Sequence, residues 1–248
     1  MPSSPFTYLI TGANRGLGFE YAKALLASSP SVRIVAGTRN PSTSDDLQAL
    51  ASAKENEARV HIIKLDVTDP ESVKEAVKVL ENSGFLDKEG GAGIDSLVLS
   101  AGVANHYGLP SETTPAQVQS NLEVNLYGNL RMVEAFLSLV RKSKGKQIIA
   151  VSSTAGSIGV HGEMTDMTSY AISKTALNMY MRKLSRELEP EGFTVVMVRT
   201  GMNLVSGEQL GQYEPAEAAQ LAVENVFLKI TRADNGLYTS LDGSGRPW

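Results

Sequence analysis

The sequence predicts an α/β protein, a single doubly wound domain over residues 1–248 with about seven parallel strands and helices on both faces. Three observations carry that expectation. Short β-rich runs alternate with longer helical patterns along the whole chain. The strand runs are continuously apolar rather than alternating, as strands covered on both faces are. No repeat or low-complexity segment interrupts the order.

The elements follow one another plainly. Tyr8–Thr11 is a strand running straight into glycine, followed by a helix over Leu17–Ala27. Val32–Thr38 is the second strand, closed by Arg39-Asn40-Pro41, and a polar helical segment leads to a third at Val60–Leu65. Thr68-Asp69-Pro70-Glu71 opens the next helix with a capping side chain, an early proline and an acid in the first turn. Ser96–Ser100 is the fourth strand; a long helix starts after Thr114-Pro115, and Gln147–Ser152 is the fifth strand. A helix through Tyr170–Leu188 precedes Thr194–Val198, another begins near Pro215, and Leu237–Leu241 is the last strand. In such a sheet ligands bind at the carboxyl ends of the strands, so the loops after the strands are where chemistry is expected.

Composition narrows the chemistry. With 248 residues, 42% hydrophobic and 20% charged, the chain can bury a core without staples, and it has no cysteine. That excludes a thiol nucleophile, an iron–sulfur cluster and Cys-ligated zinc. His61, His106 and His161 are far apart in sequence, so no metal site is expected. The net charge of −4 and the lack of a basic cluster argue against a nucleic-acid surface. No stretch has the ~20 apolar residues of a membrane span, and the N-terminus lacks a basic leader. The expectation is a cytoplasmic protein.

Two motifs carry chemistry. After the first strand comes Thr11-Gly12-Ala13-Asn14-Arg15-Gly16-Leu17-Gly18, where glycines permit a tight turn and let backbone N–H groups approach a pyrophosphate at a helix N-terminus. Its spacing is G-x-x-x-G-x-G, not the commoner G-x-G-x-x-G. The second motif is Tyr170-Ala171-Ile172-Ser173-Lys174, a phenol and an ammonium one helical turn apart on one face. A tyrosine ordinarily keeps its proton to about pH 10, and a lysine at that spacing is expected to lower this value and make the phenol a usable acid–base group.

With these residues in hand, the chain resembles the short-chain dehydrogenase/reductase family over nearly its whole length, and the resemblance implies a Rossmann fold. Gly12, Asn14, Arg15, Gly16, Leu17 and Gly18 match the family's cofactor loop. Asp66 matches the acid that holds the adenine amino group in relatives, with Val67 beside it, and Ala101-Gly102 and Gly201 are small residues along the cofactor path. Asn125, Ser153, Tyr170 and Lys174 match the catalytic tetrad, in which Tyr170 and Lys174 also touch the cofactor. The family's usual serine-to-tyrosine spacing points to Ser157. The strand-end pair Ser152-Ser153 fits the local pattern better and implies a longer loop across Gly162–Thr168, so Ser153 is preferred.

Charge bears on the cofactor. NAD enzymes place an acid after the second strand for the ribose diol, whereas NADP needs cations for its 2′-phosphate. Here that strand ends Gly37-Thr38-Arg39, and Arg15 stands in the loop, which favours NADP(H), with Thr38 and Asn40 as further donors. Two family motifs are altered: Asn-Asn-Ala-Gly reads Leu99-Ser100-Ala101-Gly102, and Pro-Gly reads Arg199-Thr200-Gly201-Met202. Thr200 or Ser206 would then stand in for the threonine that meets the carboxamide. Asn203–Glu214 is expected to be a short substrate lid, and His106, Tyr107, His161, Met164 and Met167 are candidate pocket residues. The ending Asp242-Gly243-Ser244-Gly245-Arg246-Pro247-Trp248 resembles sniffer/C-factor-type carbonyl reductases and norsolorinic-acid ketoreductase-like enzymes.

The resemblance implies NADPH-dependent reduction of a small-molecule carbonyl (ketone, quinone or polyketide-like) with Tyr170 as acid. An alcohol dehydrogenase working oxidatively and a non-catalytic NADP(H) sensor are the alternatives. Relatives include monomers and homo-oligomers, and the sequence does not choose between them.

Overall fold

The computed structural model describes residues 5–86, 93–161, 165–201, 204–205, 208–209 and 213–248, the four at 204–205 and 208–209 by backbone alone. Strands are β1 (Phe6–Thr11), β2 (Val32–Thr38), β3 (Val60–Lys64), β4 (Ser96–Leu99), β5 (Gln147–Ser152), β6 (Thr194–Arg199), β7 (Leu204–Val205), β8 (Glu208–Gln209) and β9 (Tyr238–Thr239). Helices are α1 (Gly16–Ser28), α2 (Asp45–Ser52), α3 (Pro70–Asn82), α4 (Pro115–Leu122), α5 (Asn129–Arg141), α6 (Ile158–His161), α7 (Thr168–Leu188) and α8 (Pro215–Ala222).

Seven strands form one parallel sheet in the order β3-β2-β1-β4-β5-β6-β9, and β7 and β8 make a separate antiparallel pair. This is the doubly wound order, in which the winding reverses between β1 and β4. The central strands are buried nearly end to end, β4 completely, whereas the edge strand β3 is mostly half-buried. Continuous Val/Ile/Leu runs therefore became strands for the reason the sequence suggested: both faces are covered.

By its internal contacts the chain falls into two compact units, Met1–Ala101 with Arg131–Ile148, and Gly102–Leu130 with Ile149–Trp248. In the first, Asp95 ties three segments at the foot of the sheet, accepting from the Thr7 amide through Oδ2 at 2.9 Å and from the Gly145 amide through Oδ1 at 3.1 Å. Arg59 closes the end of α1, donating to the carbonyls of Leu26 and Ser29 at 2.8 and 2.6 Å. In the second, Thr114 and Gln117 form a reciprocal capping box at the start of α4.

Two boundaries differ from expectation. The helix after Pro115 is not continuous: a π-helical turn over Glu123–Gly128 separates α4 from α5. The wider turn inserts one residue into the helical period, which apolar periodicity does not register. The last strand is only Tyr238–Thr239, because the chain then folds back through a bridge between Thr239 and Gly245.

Candidate active site

In the first unit the three loop glycines are needed for three different reasons. Gly12 has φ +66°, and a Cβ there would lie 3.1 Å from the Ala101 Cα. Gly16 has φ +58° with nothing within 4 Å of a Cβ, so the backbone conformation alone selects it, beside open space. A Cβ at Gly18 would collide with the Gly12 carbonyl oxygen. Arg15 precedes α1 in extended conformation with no side-chain cap, leaving first-turn N–H groups of α1 available. A bare backbone cradle at the switch point, next to Ala101, fits a dinucleotide pyrophosphate.

The altered Leu99-Ser100-Ala101-Gly102 segment is held from the other side. Thr11 is fully buried, and its Oγ1 accepts from the amides of Ser100 and Ala101 at 3.0 and 2.9 Å. Asp66 serves its own turn: its Oδ1 accepts from the Thr68 amide and hydroxyl at 2.9 and 2.7 Å. Val67 beside it is buried, and its carbonyl accepts from Arg131 at 3.3 Å. Asn14 and Leu17 are half-buried, and Arg15 and Arg39 are exposed with no carboxylate partner among the described residues. Thr38 departs from the reading as a phosphate donor. It is buried, with its hydroxyl 3.2 Å from that of Ser44.

The second unit brings together Asn125, Ser153, Tyr170 and Lys174. The Ser153 hydroxyl hydrogen-bonds the Tyr170 phenol and also accepts from the Ala155 amide at 3.2 Å. Ser157 is turned away: its Oγ donates to the Pro247 carbonyl at 2.8 Å. Lys174 is buried on α7, with Nζ donating to the Val151 carbonyl at 2.8 Å and lying 5.8 Å from the Tyr170 ring centre. Asn125, in the π-helical turn, clamps Val103 through both backbone groups (2.8 and 2.9 Å) and donates to the Ser173 hydroxyl at 2.9 Å. A Cβ on Gly102 would sit 3.2 Å from Asn125 Oδ1 and 3.6 Å from Lys174 Nζ, so Gly102 keeps the space between these groups open.

The electrostatics reverse one expectation. Burial pushes the Tyr170 phenol up to about 12; the Ser153 hydrogen bond opposes this and the Tyr107 phenol reinforces it. The Lys174 ammonium points to a backbone carbonyl, and burial pushes it down to about 8. Desolvation outweighs the pairing anticipated from the spacing of the two residues. Tyr170 therefore holds its proton throughout the neutral range.

Lys174 has a measurable cost. Its folded pKa lies below its ordinary 10.5, so between about pH 8 and pH 10.5 the unfolded chain binds the extra proton and stability rises with pH. Lys174→Met, which fills similar volume without charge, is expected to be more stable than the parent at pH 7 by on the order of 1–2 kcal/mol. Urea unfolding at pH 7 and pH 9.5 checks this: the gap narrows at the higher pH, and an equal deficit of the variant at both would contradict it.

Several positioning residues escaped the sequence reading. Asn178, one turn beyond Lys174, accepts from the Ser152 hydroxyl at 2.6 Å and donates to the Gly156 carbonyl at 3.0 Å, holding the serine turn on α7. Asn121 repeats the role of Asn125 one turn earlier, bonding both backbone groups of Asn105 and the Ser169 hydroxyl. The signal was present as i,i+4 pairs, Asn121/Asn125 and Ser169/Ser173, on two helices. Arg199, at the end of β6, donates to Thr154 Oγ1 at 2.8 Å and Ser240 Oγ at 3.1 Å.

Among the pocket candidates, Tyr107 is exposed, with its hydroxyl donating to the Ala104 carbonyl at 3.1 Å, whereas His161 is buried. His106 and Met167 adopt left-handed backbone, with φ of +64° and +57°, Met167 just ahead of α7. Gly201 is also left-handed, at φ +57°, and Thr200 beside it is buried. Met164, Ser206 and most of the Asn203–Glu214 lid lie outside the described residues. Among the described residues, no cluster of His, Asp or Glu could hold a metal, and no helix is long and apolar enough to cross a membrane.

Known proteins match both the sequence and the fold. An uncharacterised oxidoreductase of Saccharomyces cerevisiae is 32% identical, with 98% of this chain and 97% of that one aligned. The structure of an NADPH-bound carbonyl reductase from chicken fatty liver superposes with a TM-score of 0.84 at 27% identity, covering 99% of this chain and 100% of that one. The carbonyl reductase Sniffer of Drosophila melanogaster shares the fold, with a TM-score of 0.87 at 24% identity and coverage of 99% and 100%. The family model for short chain dehydrogenases matches residues 7–209. A glycine cradle at the switch point, a cluster of Ser153 after β5 with Tyr170 and Lys174 on α7, and these matches lead to one conclusion: the chain is an oxidoreductase of the short-chain dehydrogenase family.

Proposed function

We propose that this oxidoreductase uses NADPH to reduce a carbonyl (a ketone, a quinone or a polyketide-like substrate) to the alcohol. The observation that carries the reading is a cluster: the Tyr170 phenol, the Ser153 hydroxyl hydrogen-bonded to it, and the buried Lys174 with Nζ 5.8 Å from the phenol ring centre. A phenol flanked by a hydroxyl donor and an ammonium is placed to give its proton to an oxygen that gains negative charge, the need of the reductive direction.

When bound, the cofactor supplies the hydride that reaches the carbonyl carbon. Everything else falls to the chain. The α1 N-terminus and the bare Gly12–Gly18 backbone take the pyrophosphate, and Arg15 and Arg39 take the 2′-phosphate. Tyr170 transfers its phenolic proton to the substrate oxygen as the carbonyl π pair moves onto it, and the Ser153 hydroxyl donates a hydrogen bond to that oxygen. Lys174 stands behind Tyr170 to stabilise the phenolate left behind and to hold the nicotinamide ribose.

The chicken carbonyl reductase binds NADPH, which supports the cofactor assignment alongside the guanidiniums of Arg15 and Arg39, which have no carboxylate partner among the described residues. The test is NADPH oxidation, followed at 340 nm, against menadione, phenanthrenequinone, diacetyl and acetophenone. Turnover with at least one of these is expected. Tight NADPH binding with no turnover on any would replace the reductase by a cofactor sensor.

A further inference from the structure

The segment from Tyr238 to Trp248 reaches the candidate serine turn and the helix after it at three points, all within the second unit. The Tyr238 hydroxyl donates to the Ser153 carbonyl at 2.7 Å, and the Ser157 hydroxyl donates to the Pro247 carbonyl at 2.8 Å. The Gly159 amide donates to the Trp248 carbonyl at 2.9 Å, and a Cβ on Gly159 would lie 3.1 Å from that oxygen. The Trp248 ring stacks on the Tyr238 ring, with centroids 5.5 Å apart and planes at 26°.

The segment is itself braced. Arg246 donates its amide to the Tyr238 carbonyl at 2.8 Å, Thr239 bridges Gly245, and the Arg182 guanidinium lies 5.9 Å from the Trp248 ring centre. Tyr238 is buried almost completely, whereas Trp248 is 44% exposed. A buried phenol spends its hydroxyl on one partner, and here that partner is the backbone of Ser153.

We infer that Tyr238, backed by the Trp248 ring, is a positioning residue that fixes the Ser153 backbone and thereby aims the Ser153 hydroxyl at Tyr170 and the substrate oxygen. The inference rests on the reductase reading above. Ser153 follows β5 in extended conformation and caps a short turn over Thr154–Gly156. Its hydroxyl direction is set by that backbone, and the backbone is held on one side by Asn178 through Ser152 and Gly156 and on the other by Tyr238. Arg199 adds a second hold on the same turn through Thr154. A hydroxyl that must meet both a phenol and a developing oxyanion tolerates little error, since misplacement by an ångström can cost about a hundredfold in rate.

The test is a double-mutant cycle on the full chain, with menadione or the panel carbonyl that turns over fastest. Tyr238→Phe removes one hydroxyl and keeps the ring stack. Its kcat is expected to fall about tenfold. The NADPH dissociation constant, read by fluorescence, is expected to stay at the parental value. On a Ser153→Ala background the same change is expected to cost nothing further, because there is no hydroxyl left to aim. Trp248→Leu, at a largely exposed position, serves where Tyr238→Phe does not fold. It should show a smaller loss with the same dependence on Ser153. Parental kcat in Tyr238→Phe, or the same factor lost on both backgrounds, overturns the inference while the reductase reading stands. Parental turnover in Ser153→Ala, or no turnover in the parent protein, overturns both.

Discussion

Tyr170→Phe is expected to lose about 10²–10⁴-fold in kcat while binding NADPH as the parent does. The substitution removes one oxygen and leaves the ring in place, so packing on α7 is preserved. What disappears is the proton donor and the partner of the Ser153 hydroxyl. The remaining rate reflects hydride transfer without a positioned acid. Its pH dependence should also change. With the phenol raised to about 12, the parent's reductive kcat should not fall through loss of the Tyr170 proton anywhere between pH 6 and pH 9. A descending limb in that range with an apparent pKa near 8 would instead report the Lys174 ammonium. Near-parental turnover in Tyr170→Phe would remove the phenol from the mechanism.

Arg15→Ala combined with Arg39→Asp is expected to reverse cofactor choice. Each guanidinium–phosphate hydrogen bond of this kind contributes about 1.5–3 kcal/mol. Losing them should raise the NADPH KM by roughly ten- to a hundredfold or more. The aspartate supplies the acid that the chain lacks after β2, so the NADH KM should fall. Both arginines are exposed and free of carboxylate partners among the described residues, so the protein loses no internal ion pair and should keep its stability. Salt gives a second readout. The parental NADPH KM should climb with ionic strength, and that of the variant should climb less. An unchanged preference for NADPH over NADH would overturn the assignment of the 2′-phosphate site.

Much of the architecture was legible because it is local. Apolar runs such as Leu97-Val98-Leu99 suit strands covered on both faces, and Asp69-Pro70 supplies a cap and a first-turn proline from adjacent residues. The glycine loop was legible for a similar reason: left-handed backbone at Gly12 and Gly16 favours glycine, and the collision at Gly18 excludes a Cβ. Tyr170 and Lys174 share a helix face by period alone. The π-helical turn around Asn125 was not legible, because one inserted residue in a helix leaves no mark in the apolar pattern.

The sequence by itself therefore determined the sheet, the glycine cradle and the phenol–ammonium pair, each set by covalent geometry or by neighbours within one helical turn or one strand. Tertiary structure decided what those groups can do. Burial, which no single segment contains, set Tyr170 high and Lys174 low, against the direction their spacing suggested. Only the folded chain brings the Tyr238 hydroxyl, 85 positions away, to the Ser153 carbonyl and turns Ser157 toward Pro247 instead. Contacts at such separations depend on how strands and loops pack, and composition or periodicity does not record them.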